Sequence, residues 1–184
     1  MPLLEDKNLL LRPFKKQDVP DIARFCNNSI ITDNVRDFFP KPYSETDALD
    51  FIDICSKEDP QTTFAIEYDN LFAGSIGLVP KDDVHRLSAE IGYWLGEPFH
   101  NRGIMTHAVK LITEYGFSKL NIIRIFSGVF EFNLASRRVL EKSGFKLESI
   151  AEKAIIKNGV ICDEYRYVLI NSRYKLKNGQ SFYE

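Results

Sequence analysis

The sequence predicts an α+β fold: a single domain in which about four helices flank a mixed, largely antiparallel twisted sheet. Three observations predict it. The apolar residues change period repeatedly, giving the order β-α-α-β-β-β-α-β-α-β-β. Two pairs of strand-like runs are joined by tight-turn residues, Asp69-Asn70 and Lys157-Asn158-Gly159, and Asn-Gly is a strong hairpin signal. The chain of 184 residues, 44% hydrophobic and 27% charged, suits one buried core, and no repeat or Pro/Gly/Ser linker divides it.

The elements follow in order. Residues 8–14 (NLLLRPF) read as a short strand. Asp18 then offers an N-cap, with Pro20 in the first turn, where its missing N–H costs little. Val19, Ile22, Phe25 and Cys26 make the apolar stripe of that helix. Residues 30–43 read as a loop with two prolines and three aromatics, Phe38, Phe39 and Tyr43. Such aromatics either cover a substrate or pack beneath their own loop. Ser44 and Asp47 form a capping box before the stripe Ala48, Phe51, Ile52 and Cys55. Strands are predicted at 62–68, 71–79, 87–95 and 122–129. Between the last two, Ile104, Ala108, Leu111 and Tyr115 share one face of a long helix. Asn133 opens a shorter helix that ends at Gly144, and a final hairpin closes the fold.

Composition excludes several functions. The formal charge is −2, from 24 Lys+Arg and 26 Asp+Glu, which argues against a nucleic-acid partner. No apolar run approaches the ~20 residues of a membrane span, and the N-terminus lacks a signal-peptide layout, so no membrane partner and a cytoplasmic location are expected. Cys26, Cys55 and Cys162 are far apart and read as core thiols. The histidines at 85, 100 and 107 make no zinc pattern, so no metal is expected.

The chemistry concentrates where a strand at 87–95 runs through GEPFHNRG into a helix. The first N–H groups of a helix have no internal partners and carry partial positive charge. A glycine there, Gly103, lets a ligand approach the backbone, so Asn101, Arg102, Gly103, Ile104, Met105 and Thr106 form a candidate pyrophosphate cradle. The alternative is an ordinary strand-to-helix turn. Neither a P-loop nor a Rossmann glycine pattern is present.

The stretch YWLGEPFHNRGIMTHAVKLITEYGF resembles the acetyl-CoA-binding motif of the GCN5-related N-acetyltransferases, with His100, Gly103 and Met105 at its characteristic positions. His100 and Met105 depart from the usual residues. NLASRRVLEKSGF (133–145) resembles a second signature, that of the ribosomal-protein-alanine acetyltransferase branch. The likeness covers roughly residues 7–171, leaving a short tail at 172–184. It implies a single N-acetyltransferase domain over 1–184, with acetyl-CoA as co-substrate. The implied partner is an amine-bearing substrate, either a small molecule or a protein N-terminus. A homodimer is compatible with this reading.

Asn133, Ser136, Arg137 and Leu140 are spaced to share one helix face. On the resemblance, Asn133 and Arg137 would contact the coenzyme. Asn133 also reads as a plain N-cap. Many relatives carry a proton-donating Tyr where this chain has Leu140, which leaves Ser136 as the candidate acid. Glu90 is the candidate general base, since relatives often place one on this strand. Its apolar neighbours Ala89 and Ile91 suggest partial burial. A structural Glu paired with an Arg across the sheet is the equal alternative. A backbone N–H near Leu95 would stabilise the oxyanion. No Cys or Ser sits in a nucleophile–base motif, so direct attack by the amine is expected. The rival readings are a non-catalytic acyl-CoA-binding or sensor module and a structural interaction domain.

Overall fold

The computed structural model describes residues 4–6 and 8–174. The part of the expected tail from 175 onward lies outside the described residues. Eight strands form one sheet: β1 (Leu4–Asp6), β2 (Leu9–Arg12), β3 (Thr63–Tyr68), β4 (Leu71–Pro80), β5 (Ser88–Leu95), β6 (Arg124–Phe130), β7 (Lys146–Lys157) and β8 (Val160–Ile170). Their spatial order is β1-β2-β3-β4-β5-β6-β8-β7. All neighbours are antiparallel except β5 and β6. The helices are α1 (Val19–Cys26), a single turn α2 (Ser29–Thr32), α3 (Glu45–Ser56), α4 (Ile104–Lys119) and α5 (Leu134–Lys142).

The turn chemistry is as the residue types require. Asp69 and Asn70 take φ of 50° and 63°, and Asn158 and Gly159 take 49° and 78°. Positive φ at both central positions matches the right-handed twist of the strands they join. The Ser44–Asp47 capping box is present: Asp47 N–H donates to Ser44 Oγ at 3.1 Å, and Ser44 N–H donates to Asp47 Oδ2 at 2.7 Å. Along α4, Ile104, Ala108 and Tyr115 are buried and Leu111 packs against the same core. Gly116 brings α4 close to the sheet, since a Cβ there would stand 2.7 Å from Leu78 Cδ1.

Three expectations need correction. The segment 30–43 is not all loop, because Asn28 Oδ1 caps the turn α2 by accepting Ile30 N–H. A further strand, β1, pairs with β2 at the sheet edge. Asp18 precedes α1 but its side chain caps nothing there. It instead receives both Nη atoms of Arg12, each at 2.8 Å. Arg12 Nε reaches Glu67 Oε2 at 2.5 Å. Arg12 and Asp18 are 3% and 2% exposed, so the pair is desolvated and each charge depends on the other. The three residues come from β2, the turn after it, and β3. Asp18→Ala would leave the guanidinium with Glu67 and the Pro13 carbonyl, and the expected loss is about 3 kcal/mol in urea unfolding.

Candidate functional site

β5 and β6 pair over only three rungs, Ser88–Arg124, Ala89–Ile125 and Glu90–Phe126. Beyond them β5 continues along β4 to Leu95, while β6 continues along β8 to Phe130. The two strands therefore diverge and open a gap in the sheet.

The register of β5 determines what faces this gap. Gly96 N–H bonds Ala73 C=O, and Lys81 N–H bonds Ser88 C=O. Hydrogen-bonded and non-bonded pairs alternate in an antiparallel ladder. Tyr93, opposite Ile76, and Leu95, opposite Gly74, fall in the non-bonded class. Their backbone groups point away from β4 and toward the gap.

A cavity of about 990 Å³ occupies the gap and both faces of the sheet beside it. At one end stands the N-terminus of α4. Asn101 and Gly103 are left-handed, with φ of 62° and 75°, and a Cβ on Gly103 would meet nothing within 4 Å. Gly103 is the N-cap and provides no side-chain cap. The leading N–H groups of α4 are thus presented without a capping side chain, beside open space that suits an anion. Ile104 and Met105 send their side chains into the core, so Met105 does not crowd this turn. His100 Nε2 lies 2.8 Å from Leu95 C=O and braces the loop against β5.

The predicted site residues are largely brought together. Glu90, Leu95, Asn101, Arg102, Gly103, Ile104, Met105, Thr106, Asn133 and Ser136 all line the cavity. Arg137 does not. Its guanidinium lies 3.8 Å over the Tyr165 ring and its Nε donates to Tyr167 Oη at 3.3 Å. Arg138 and Lys142 line the cavity instead. The expected common face of α5 therefore divides: Leu140 is fully buried, Arg137 turns to β8, and Asn133 and Ser136 meet the gap. Asn133 Oδ1 accepts Ser136 N–H at 3.0 Å, so the oxygen caps α5.

Tyr93 is a site residue that the sequence reading missed. Its hydroxyl lies 2.8 Å from Ser136 Oγ. Burial pushes this phenol up to about 12, with the Ser136 hydrogen bond opposing, so it stays protonated at neutral pH. The available signal was period two: Tyr93 brings a hydroxyl to the strand face shared by Ile91 and Leu95.

Glu90 projects to the other face of the sheet, away from Ala89 and Ile91. Its Oε1 is hydrogen-bonded by Arg36 Nη2, and its Oε2 lies 3.0 Å from Lys81 Nζ. The apolar setting expected from its sequence neighbours is thus replaced by two cations. Arg36 belongs to a segment that roofs this side of the cavity. Phe38 and Phe39 both line the cavity; Phe38 is 81% exposed, and Phe39 also packs on Tyr43, with ring centroids 4.9 Å apart.

The hairpin tip holds the same segment. Lys157 is 2% exposed, and its Nζ donates to Val35 C=O at 2.7 Å and Asp37 Oδ1 at 2.6 Å. The Lys157 hydrogen bond and charge, with help from Lys41, hold the Asp37 carboxyl below its ordinary range. An acid depressed in the fold contributes above its unfolded value and stops contributing as pH falls through its folded value. The Lys157–Asp37 contribution is therefore lost as pH falls through a folded value lower than that of an ordinary aspartate, while the Lys157 bond to Val35 C=O does not titrate with it. Lys157→Met removes both bonds. Amide exchange over 33–39 should rise at least about tenfold while sheet protection holds.

No group of three or more potential metal ligands occurs among the described residues, and no described helix is long and apolar enough to cross a membrane. Comparison with known proteins gives a consistent result. A probable N-acetyltransferase, YjcK of Bacillus subtilis (strain 168), is 33% identical, with 92% of this chain and 97% of the relative aligned. The spermidine N(1)-acetyltransferase of Escherichia coli (strain K12) is 27% identical over 89% of this chain and 87% of its own. The microcin C7 self-immunity acetyltransferase MccE, solved with acetyl-CoA and AMP, superposes with a TM-score of 0.75 at 26% identity, covering 90% and 94% of the two chains. The ribosomal L7/L12 alpha-N-protein acetyltransferase RimL, solved with coenzyme A, shares the fold with a TM-score of 0.81 at 22% identity, covering 92% and 98%. Residues 8–146 match the family model of the acetyltransferase (GNAT) domain, and the chain belongs to that family.

Proposed function

We propose that this protein transfers the acetyl group of acetyl-CoA to a primary amine by direct attack of the amine on the thioester. The carrying observation is the gap between β5 and β6, with the uncapped terminus of α4 at its end. A coenzyme thioester needs these two features together: donors for a pyrophosphate, and an extended slot with backbone groups for the pantetheine amides. Residues 101–106 supply the first. The Tyr93 backbone groups and the Nδ2 of the Asn133 carboxamide supply the second. Relatives solved with acetyl-CoA or coenzyme A, MccE and RimL, support the assignment.

In this reading the Leu95 N–H stabilises the oxyanion of the tetrahedral intermediate. Ser136 gives a proton to the leaving thiolate. Tyr93 donates to Ser136 Oγ and so turns the serine O–H toward the slot, which fills the role that Leu140 cannot take. Both oxygens of Glu90 are engaged by cations, an arrangement that favours its ion-pair role over proton transfer. The acceptor enters from the face where Glu90 lies, under the 33–39 segment. The named relatives act on spermidine and on a ribosomal protein N-terminus, so both small and peptide amines belong in a substrate panel.

Turnover is tested by following free thiol from acetyl-CoA with that panel. Binding of acetyl-CoA without turnover of any amine would favour the sensor alternative. Gly103→Ala tests the cradle. The new Cβ enters open space at φ +75°, where an L residue costs ~1–2 kcal/mol. Acetyl-CoA affinity by calorimetric titration should fall at least about tenfold, the equivalent of ~1.4 kcal/mol. Unchanged affinity in the folded variant would reject the cradle.

A further inference from the structure

The gap has a mouth on the acceptor face of the sheet, and two glycines form it. On β5, Glu90, Gly92 and Trp94 share that face. On β6 the same face carries Phe126, Gly128 and Phe130. Glu90 is level with Phe126, so at the same register Gly92 would stand level with Gly128 across the gap. A Cβ on Gly92 would meet nothing within 4 Å. Gly128 differs: the space where its Cβ would stand is filled by the carboxylate of Glu164, with Oε1 only 2.4 Å from that point. Glu164 sits on β8 opposite Phe130 and leans back over Gly128. It lines the same cavity, and its side chain is 19% exposed.

Two carboxylates thus face the mouth, in different states. Glu90 has Oε1 on Arg36 and Oε2 on Lys81. Glu164 has Oε2 on Arg166 Nε at 2.7 Å, and among the described residues its Oε1 has no hydrogen-bond partner. A carboxylate held by one cation through one oxygen, with the other oxygen over a side-chain-free opening, can receive a proton from a group in that opening. One whose two oxygens each accept from a cation has neither oxygen turned to the opening.

We propose that Glu164 is the catalytic base, accepting the proton of an acceptor that arrives as a primary ammonium. The inference rests on the acetyltransferase reading above. One N–H proton of the ammonium passes to Glu164 Oε1. The freed lone pair forms the N–C bond at the thioester carbonyl, and the C–S bond breaks with its electron pair leaving on sulfur. Ser136 passes its hydroxyl proton to the thiolate, and the second proton shed by nitrogen, as the amide forms, restores the serine hydroxyl. Glu164 returns its proton to solvent.

The test compares Glu164→Gln and Glu90→Gln in the full chain, by single-turnover kinetics with the best acceptor of the panel. Glutamine at 164 keeps an acceptor for Arg166, and thermal melts check folding. Glu164→Gln should lower the chemical step by ~10²–10⁴-fold with the acetyl-CoA dissociation constant within about twofold of wild type. The loss should shrink with trifluoroethylamine, which is already largely neutral at the assay pH. In Glu164→Ala, added formate should restore part of the rate. Glu90→Gln should act mainly on acceptor KM, through Arg36. A Glu164→Gln rate within a few-fold of wild type would overturn the proposal. So would a loss that is equal for all amines and not rescued by formate. A large loss of the chemical step in Glu90→Gln alone would return the proton to Glu90. If wild type turns over no amine, the acetyltransferase reading itself fails.

Discussion

The site depends on the brevity of one parallel strand pair. β5 and β6 share three rungs and then separate, because each is committed to an antiparallel neighbour on its other side. A strand paired on one side only must present alternate N–H and C=O groups to whatever lies opposite. Buried backbone polar groups are costly to leave without partners, so such a gap favours a polar, extended occupant. The N-termini of α4 and α5 both adjoin the gap, where helix dipoles place partial positive charge. The polar groups that face the gap are therefore largely main-chain groups, whose geometry tolerates side-chain change.

That tolerance explains how the chain departs from its family's usual residues within the same fold. His100 braces Leu95 C=O. Met105 joins the core, where it leaves the turn at Gly103 open. Leu140 is wholly buried, and a hydroxyl pair from two other elements, Tyr93 and Ser136, stands at the gap. In each case a local contact accommodates the change.

The two faces of the sheet have separate tasks. One face carries the α4 terminus and α5 and is dominated by backbone donors. The other is roofed by the 33–39 segment, which is held by Arg36 to Glu90 and by Lys157 to Val35 and Asp37. Contacts 54 to 122 residues apart in sequence thus hold the roof of that side of the cavity. The buried Arg12–Asp18–Glu67 cluster, in contrast, serves the frame between β2 and β3.

Most of the elements, their order and the left-handed turn ahead of α4 are legible in the sequence. These rest on local chemistry: apolar period, turn residues that accept positive φ, the Ser44–Asp47 box, and a glycine at the head of α4. Asn133 and Ser136 were legible for the same reason, being close in sequence at a helix start. Tertiary structure decided everything that depends on which face a side chain meets and what comes from elsewhere to meet it. Asp18 read as a cap because the sequence does not show Arg12 folding back onto it. Arg137 read as a coenzyme contact because helical spacing gives a face but not what lies against it. Glu90 read as partly buried among apolar residues, yet in a strand the adjacent side chains point the opposite way. The cations on Glu90, the hydroxyl of Tyr93 beside Ser136, and Glu164 over Gly128 arise from pairings between distant strands and loops, which no local pattern encodes.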